Sequence, residues 1–285
     1  MAVEIKLLSG ADIDQYIKLL QLGFDEELGQ RGTDITRMGR MTRVMLSCGG
    51  LPLRLIKAVT GRGLFVLAAK DGTRVVGILT VLEKKDPILI GAYVLEGYRR
   101  SGVALDLVQE ALLRLERQGY SRVQGAVIDH TAQLLLERAG FILYDHIDLY
   151  QRSLPTGVSS PAGVLAQRAR RVNLPRHPYD LGPLNLFTGV RVRNMVVISE
   201  GEKTIVATLI ALPHQTMAEI QPKLLARERE DTFCALLNAA DEWLSKLGRT
   251  IVTVSLHDET ASLASILTRE GFVKRHSWVE MSIDL

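Results

Sequence analysis

Cysteine is almost absent. Cys48 and Cys234 are the only two in 285 residues, far apart and without the paired spacing of a zinc site or a disulfide framework. No metal centre and no stapled scaffold is expected, and both are read as plain thiols. Cys48 lies between basic segments, a setting that lowers a thiol pKa, but its Cys-Gly-Gly context is read as structural rather than nucleophilic. No apolar run approaches the roughly 20 residues that span a bilayer. The start Met1-Ala2-Val3-Glu4-Ile5-Lys6 lacks the basic-then-apolar layout of a secretory signal. No membrane partner is expected, and the cytoplasm is the expected location. Nor is there an excess of charge: 35 basic against 32 acidic residues leave a formal +3, too near balance for a nucleic-acid surface. The hydrophobic share of 47% is that of a globular protein, and the length suits two domains, each with its own core.

The first half alternates sheet and helix signals. Val3–Leu7 reads as a strand, and Ser9-Gly10-Ala11-Asp12 caps a helix with apolar Ile13, Tyr16, Ile17, Leu19 and Leu20. From Asp34 to Thr60 the pattern is helical, with Arg37, Arg40, Arg43, Arg54 and Lys57, and breaks at Gly49-Gly50. Leu64–Ala69, the turn Asp71-Gly72, Val75–Val81, the turn Lys85-Asp86-Pro87 and Ile88–Val94 make an antiparallel meander. Leu105, Leu107, Val108, Ala111, Leu112 and Leu115 then recur at helical spacing until Gln118-Gly119. This crossover makes the next strand, Val123–Ile128, parallel to Ile88–Val94. A helix Ala132–Arg138 ends at Gly140-Phe141, a strand Ile142–Leu149 follows, and the first unit closes near Leu154.

Pro155–Thr188 holds five of the nine prolines and is read as the connection, with a possible helix at Val164–Val172. Its Arg168, Arg170, Arg171 and Arg176 are read as a solvated basic face. The second half then repeats the first. Gly72 and Gly201, and Gly119 and Gly248, are each 129 residues apart. Ala207–Leu212, Met217–Ile220, Ala235–Leu247, Ile251–Leu256, Leu263–Arg269 and Gly271-Phe272 follow the earlier order. The expected organisation is a unit over 1–154, a connection over 155–188 and a second unit over 189–285.

Chemistry points to one turn. Arg99-Arg100-Ser101-Gly102-Val103-Ala104 joins a strand to a helix, where free backbone N–H groups and the positive end of the helix dipole favour a phosphate. Gly102 removes the Cβ that would block approach, and the two arginines add positive charge. This Arg-x-x-Gly-x-Ala turn follows Val94-Leu95-Glu96-Gly97-Tyr98-Arg99 and stands within the element series above. With that context, residues 1–154 resemble the GNAT superfamily of acyl-CoA-dependent N-acyltransferases.

The resemblance implies an α/β fold with two tandem GNAT-like domains. Each is a mixed, mostly antiparallel sheet flanked by helices, with a splayed pair of parallel strands. It implies acetyl-CoA as co-substrate, its pyrophosphate on Arg99, Arg100, Ser101, Gly102, Val103 and Ala104 and its pantetheine arm along Tyr93 and Val94. The reaction implied is direct attack of an amine on the thioester, with a small-molecule or peptide amine as acceptor. Relatives often place an acidic tyrosine four residues before the Gly-Phe pair, where this chain has Leu136. Tyr144, Tyr93 or a water are the substitutes; Glu83 and Asp86 are conceivable bases, against a reading as exposed hairpin charges; His130, with His257 in the second half, is a loop candidate for proton transfer. No catalytic residue is assigned.

At the 129-residue offset Arg99, Ser101, Gly102 and Ala104 become Glu228, Glu230, Asp231 and Phe233. An acidic, bulky turn repels a pyrophosphate, so the second unit is expected to be degenerate and to bind no acyl-CoA. The expected function is N-acetyl transfer to a primary amine by a monomer or homodimer. The alternative is a non-catalytic acyl-CoA sensor, and a pure interaction scaffold would leave the Arg99–Ala104 turn without a purpose.

Overall fold

The computed structural model describes residues 3–30, 63–154, 165–168, 191–199, 202–211, 217–224 and 230–285. The Asp34–Thr60 segment with Cys48, and most of the 155–188 connection, lie outside them. The chain divides into two compact units, Met1–Asp145 with Trp278–Leu285, and His146–Ser277.

In the first unit, β1 (Glu4–Leu7), β2 (Gly63–Asp71), β3 (Arg74–Glu83) and β4 (Ile88–Val94) pair antiparallel in sequence order. Between β1 and β2, the Asp12 carboxylate accepts the Ser9 hydroxyl at 2.6 Å and its N–H at 3.2 Å, fixing the turn into α1 (Ile13–Gln30). Because alternate strand residues face opposite ways, β2 and β3 serve two cores. Tyr16, Leu19 and Leu20 of α1 bury Val66, Ala68, Val75 and Ile78 on one face. Leu107, Val108, Ala111 and Leu115 of α2 (Val103–Arg117) bury Leu67, Val76, Leu79 and Val81 on the other. Each such leucine contributes about 1.5–3 kcal/mol by leaving water. α2 ends at Gly119, whose φ of 84° lets Tyr120 N–H reach back to the Leu115 carbonyl at 3.2 Å. It returns the chain to β5 (Arg122–Val127), parallel to β4, and α3 (His130–Arg138) follows.

The second unit repeats this order. After β6 (Ile142–Ser153) and β7 (Leu165–Arg168), the strands β8 (Arg191–Ser199), β9 (Glu202–Ala211) and β10 (Met217–Leu224) form the meander. α4 (Glu230–Lys246) crosses to β11 (Ile251–His257), parallel to β10, and α5 (Ala264–Arg269) follows. Its helices end as those of the first unit do. Gly248 at φ 67° lets Arg249 N–H reach the Leu244 carbonyl, and Phe272 N–H reaches Leu267 as Phe141 N–H reaches Leu136.

Two findings depart from the sequence reading. Leu165–Arg168, inside the expected helix, is strand β7, paired antiparallel with Met195–Ile198 of β8. Its residue types favour helix, but four residues cannot outweigh a paired strand edge. The units also divide at 145/146 and 277/278 instead of after Leu154. From Ile147 to Ser153, β6 pairs with β11 of the second unit. The last strand, β12 (Val273–Asp284), pairs from Val279 to Asp284 with β5 of the first. Each half of the chain thus supplies a strand to the other half's sheet.

Candidate functional site

β4 and β5 pair at only two positions, Ile88↔Gln124 and Leu89↔Gly125. Beyond them, the β5-facing edge of β4 from Ile90 to Val94 has no strand partner among the described residues. A bulge causes the divergence: between Leu79 and Val81 of β3 the register advances by three residues of β4, from Ala92 to Leu89. Gly91 sits in that bulge at φ 80°, and a Cβ there would lie 3.3 Å from the Phe24 ring. Gly91→Val therefore places a β-branched residue in the left-handed region against a packed ring. An expected loss of about 1–3 kcal/mol in urea unfolding checks the point.

The glycine turn lies at the far, open end of the same β4 edge. Gly102 is at φ 92°, and a Cβ on it would meet nothing within 4 Å, so its freedom of shape leaves open space. The first helical bond at the start of α2 runs from Asp106 N–H to the Gly102 carbonyl at 3.0 Å, leaving the Val103, Ala104 and Leu105 amides ahead of the ladder. Arg99 is a brace as well as a charge: its Nε donates to the Val94 carbonyl at 3.0 Å and its guanidinium lies 5.5 Å over the Tyr93 ring. Arg100 has a φ of 64° and is exposed. Ser101 Oγ donates to the Tyr98 carbonyl at 2.6 Å, and Tyr98 OH donates to Asp71 at 2.6 Å, tying the turn to the β2–β3 hairpin. That bond pushes the Tyr98 phenol upward in pKa. The structure thus brings Tyr93, Val94, Arg99, Arg100, Ser101, Gly102, Val103 and Ala104 together at one end of β4.

The closed end of the gap has two different faces. On the α3 side Leu136 covers Gly125, and a Cβ there would fall 2.5 Å from its Cδ1. On the other side, Tyr144 OH donates to Glu280 Oε2 at 2.5 Å and accepts from Gln124 Nε2 at 3.1 Å. The Arg122 guanidinium stands 5.4 Å over the Tyr144 ring and bonds Ser282 Oγ at 2.9 Å.

The remaining candidates scatter. Tyr93 packs its ring on Gly23 and edge-on to Phe24. Glu83, weighed as an exposed hairpin charge, is only 6% exposed, and Asp86 is half-buried. His130 is exposed at the first turn of α3. Burial, with Glu270 nearby, pushes the Cys234 thiol upward and keeps it a poor nucleophile. No group of three metal-ligating side chains occurs among the described residues.

A family model described as Acetyltransferase (GNAT) family matches residues 49–141. The whole chain is similar in fold to a tandem GNAT protein from the clavulanic acid biosynthesis pathway. Identity is 14% and the TM-score 0.64, over 99% of this chain and 98% of that one. The chain has the GNAT fold in tandem. A GCN5-related N-acetyltransferase from Sphaerobacter thermophilus is similar at 15% identity and TM-score 0.65, over 99% and 95% of the two chains. No curated protein matches in sequence.

The two units differ where the gap would form. In the second, β9 and β10 run in register without a bulge, and β10 and β11 pair at four consecutive positions from Met217↔Ile251 to Ile220↔Val254. Side chains lace the pair: Thr253 Oγ1 donates to the Ala218 carbonyl at 3.1 Å and Ser255 Oγ to Glu219 at 2.6 Å. Phe233, at the Ala104 position, is fully buried, and Glu230 and Asp231 begin α4. The first unit also holds a residue that reading the sequence missed, Glu280. The strand alternation of Val279, Met281 and Ile283 marks β12, but nothing local marks its partner.

Proposed function

We propose that the first GNAT unit binds acetyl-CoA or another short acyl-CoA and transfers the acyl group to a primary amine of a small molecule or peptide. The pyrophosphate takes the amides and arginines of Arg99–Ala104, and the pantetheine arm runs along the free edge of β4 at Tyr93 and Val94. The amine attacks the thioester carbonyl directly, and a β4 amide at the gap stabilises the oxyanion. One observation carries this reading: the bulge that parts β4 from β5 and the open glycine turn lie along the same strand edge, whereas among the described residues of the second unit β9 and β10 pair without a bulge, and its sequence from 225 to 231 has no glycine. That unit is a degenerate domain over the later part of the chain, with a structural or acceptor-shaping role and no cofactor of its own. The protein acts in the cytoplasm as a monomer or homodimer, without metal or nucleic acid.

Leu136 over Gly125 favours a second reading, a non-catalytic acyl-CoA sensor, because it puts an apolar group where relatives hold an acid. Titration calorimetry with acetyl-CoA tests the binding and thiol release over an amine panel tests the chemistry. One site per chain with turnover is expected; one site with no turnover selects the sensor; two sites overturn the assignment of the second unit.

A further inference from the structure

The apex of the gap, at Leu89 and Gly125, is the end farthest from the glycine turn. On the reading above, a cofactor whose pyrophosphate sits on that turn carries its acyl group toward this apex. Whatever handles the acceptor's protons must stand there. The α3 face offers Leu136, which cannot exchange a proton. On the opposite face, Glu280 pairs in register with Ala126, one residue beyond the last β4–β5 contact. Gln124, directly opposite Ile88 at the apex, donates to Tyr144, and Tyr144 donates to Glu280 Oε2. Glu280 Oε1 has no hydrogen-bond partner among the described residues. Tyr144 is 40% exposed, so the group is open to a ligand.

We propose that Glu280 receives the acceptor's ammonium group and serves as its general base, with Tyr144 as the residue that holds the carboxylate in place. The chain's last strand thereby completes the site of the first unit. The inference rests on the acyl-CoA reading given above and deepens it: the acceptor enters as a cation on the face opposite α3.

The step balances as follows. Glu280 Oε1 takes one proton from the ammonium and frees the nitrogen lone pair. Nitrogen forms a bond to the thioester carbon, whose carbonyl electrons move to oxygen. As they return, the carbon–sulfur bond breaks, the second nitrogen proton passes to the departing sulfur, and Glu280 yields its proton to water. The charges facing the pair are Arg122 from β5 and Asp145 from β6. Burial, then the Glu280 bond, pushes the Tyr144 phenol far upward, so it keeps its proton and stays a donor throughout.

The test compares wild type, Glu280→Gln and Tyr144→Phe as full chains. Each is assayed for acetyl-CoA affinity by calorimetry and for thiol release with a panel of amino sugars, polyamines, amino acids and short peptides. In E280Q, acetyl-CoA affinity stays within about twofold, while kcat on the best amine falls by roughly 100-fold or more, the usual worth of a general base. The acid-side limb of its pH–rate profile disappears. Y144F keeps that limb and loses about tenfold in kcat, which a merely structural hydroxyl would not do while leaving acetyl-CoA affinity and melting temperature unchanged. E280Q at wild-type rate with an unchanged limb overturns the inference, as does a wild type that binds acetyl-CoA but acylates none of the panel. A wild type that fails to bind acetyl-CoA overturns the underlying reading instead.

Discussion

Gly102→Glu is expected to weaken acetyl-CoA binding by about 100-fold or more, measured by calorimetry on the full chain. The Cβ of the new residue meets no protein atom within 4 Å. Its bulk and charge therefore enter the space proposed for the pyrophosphate rather than the core. A carboxylate about 4 Å from a phosphate oxygen costs several kcal/mol at the effective dielectric of a protein surface, and every 1.4 kcal/mol is tenfold in affinity. The φ of 92° adds backbone strain of about 1–3 kcal/mol to any side chain there. Gly102→Ala carries that strain without the charge, so it separates the two effects and should retain most of the affinity. Asp231→Ala, at the matching place in the second unit, should bind as wild type. Unchanged affinity in G102E would remove the turn from the cofactor site. Loss of binding in D231A alone would exchange the roles of the units.

Arg152→Ala is expected to destabilise the second unit by about 3–5 kcal/mol, the usual cost of stripping one partner from a buried ion pair. Arg152 lies on β6, the strand that the first half of the chain lends to the second unit's sheet. It bonds Asp241 of α4, donates to the Glu270 carbonyl at 2.9 Å and covers the Phe272 ring at 4.5 Å. Asp241 is wholly buried; Arg152 bonds its Oδ2, and its Oδ1 has no hydrogen-bond partner among the described residues. Without Arg152 that carboxylate has no counter-charge. Burial pushes the Asp241 pKa up to about 6 even with Arg152 opposing it. A folded pKa above the unfolded 3.8 means the folded state holds the proton more tightly. The Asp241 contribution is thus full below about pH 4 and lost as pH rises through about 6. Urea unfolding should show the R152A deficit shrinking as pH falls from 8 to 5, where Asp241 is neutral in both proteins. A deficit independent of pH would assign the effect to lost packing on Phe272 alone.

Most of the element order is legible in the sequence, for local reasons. The α2 stripe of Leu107, Val108, Ala111 and Leu115 is a helical period ended by a glycine in the left-handed region, and the structure buries those four residues. Gly119 and Gly248, 129 residues apart, both have positive φ where they end equivalent helices, as do Gly140 and Gly271, and a requirement for glycine at such ends is why the spacing exposes the repeat. β7 shows the limit: Leu-Ala-Gln-Arg carries helix-forming types, and a neighbouring strand outweighs them.

The turn, its glycine and its arginines are contiguous, so their place at a helix start is readable. The apex is not contiguous. Gln124, Tyr144 and Glu280 span more than half the chain, and their hydrogen bonds exist only because β12 lies beside β5.

The sequence by itself determined the two copies, most of the helices and strands described in them, and the glycine turn at the start of α2, because periodicity, capping and glycine conformations act over a few residues. Tertiary structure alone decided that β6 and β12 pair with the other half's sheet, how far β4 parts from β5, and which acidic residue stands at the apex. A strand's alternation specifies which side chains share a face and leaves its hydrogen-bonding edge free to take either copy's sheet, so partner choice is settled only when the whole chain packs.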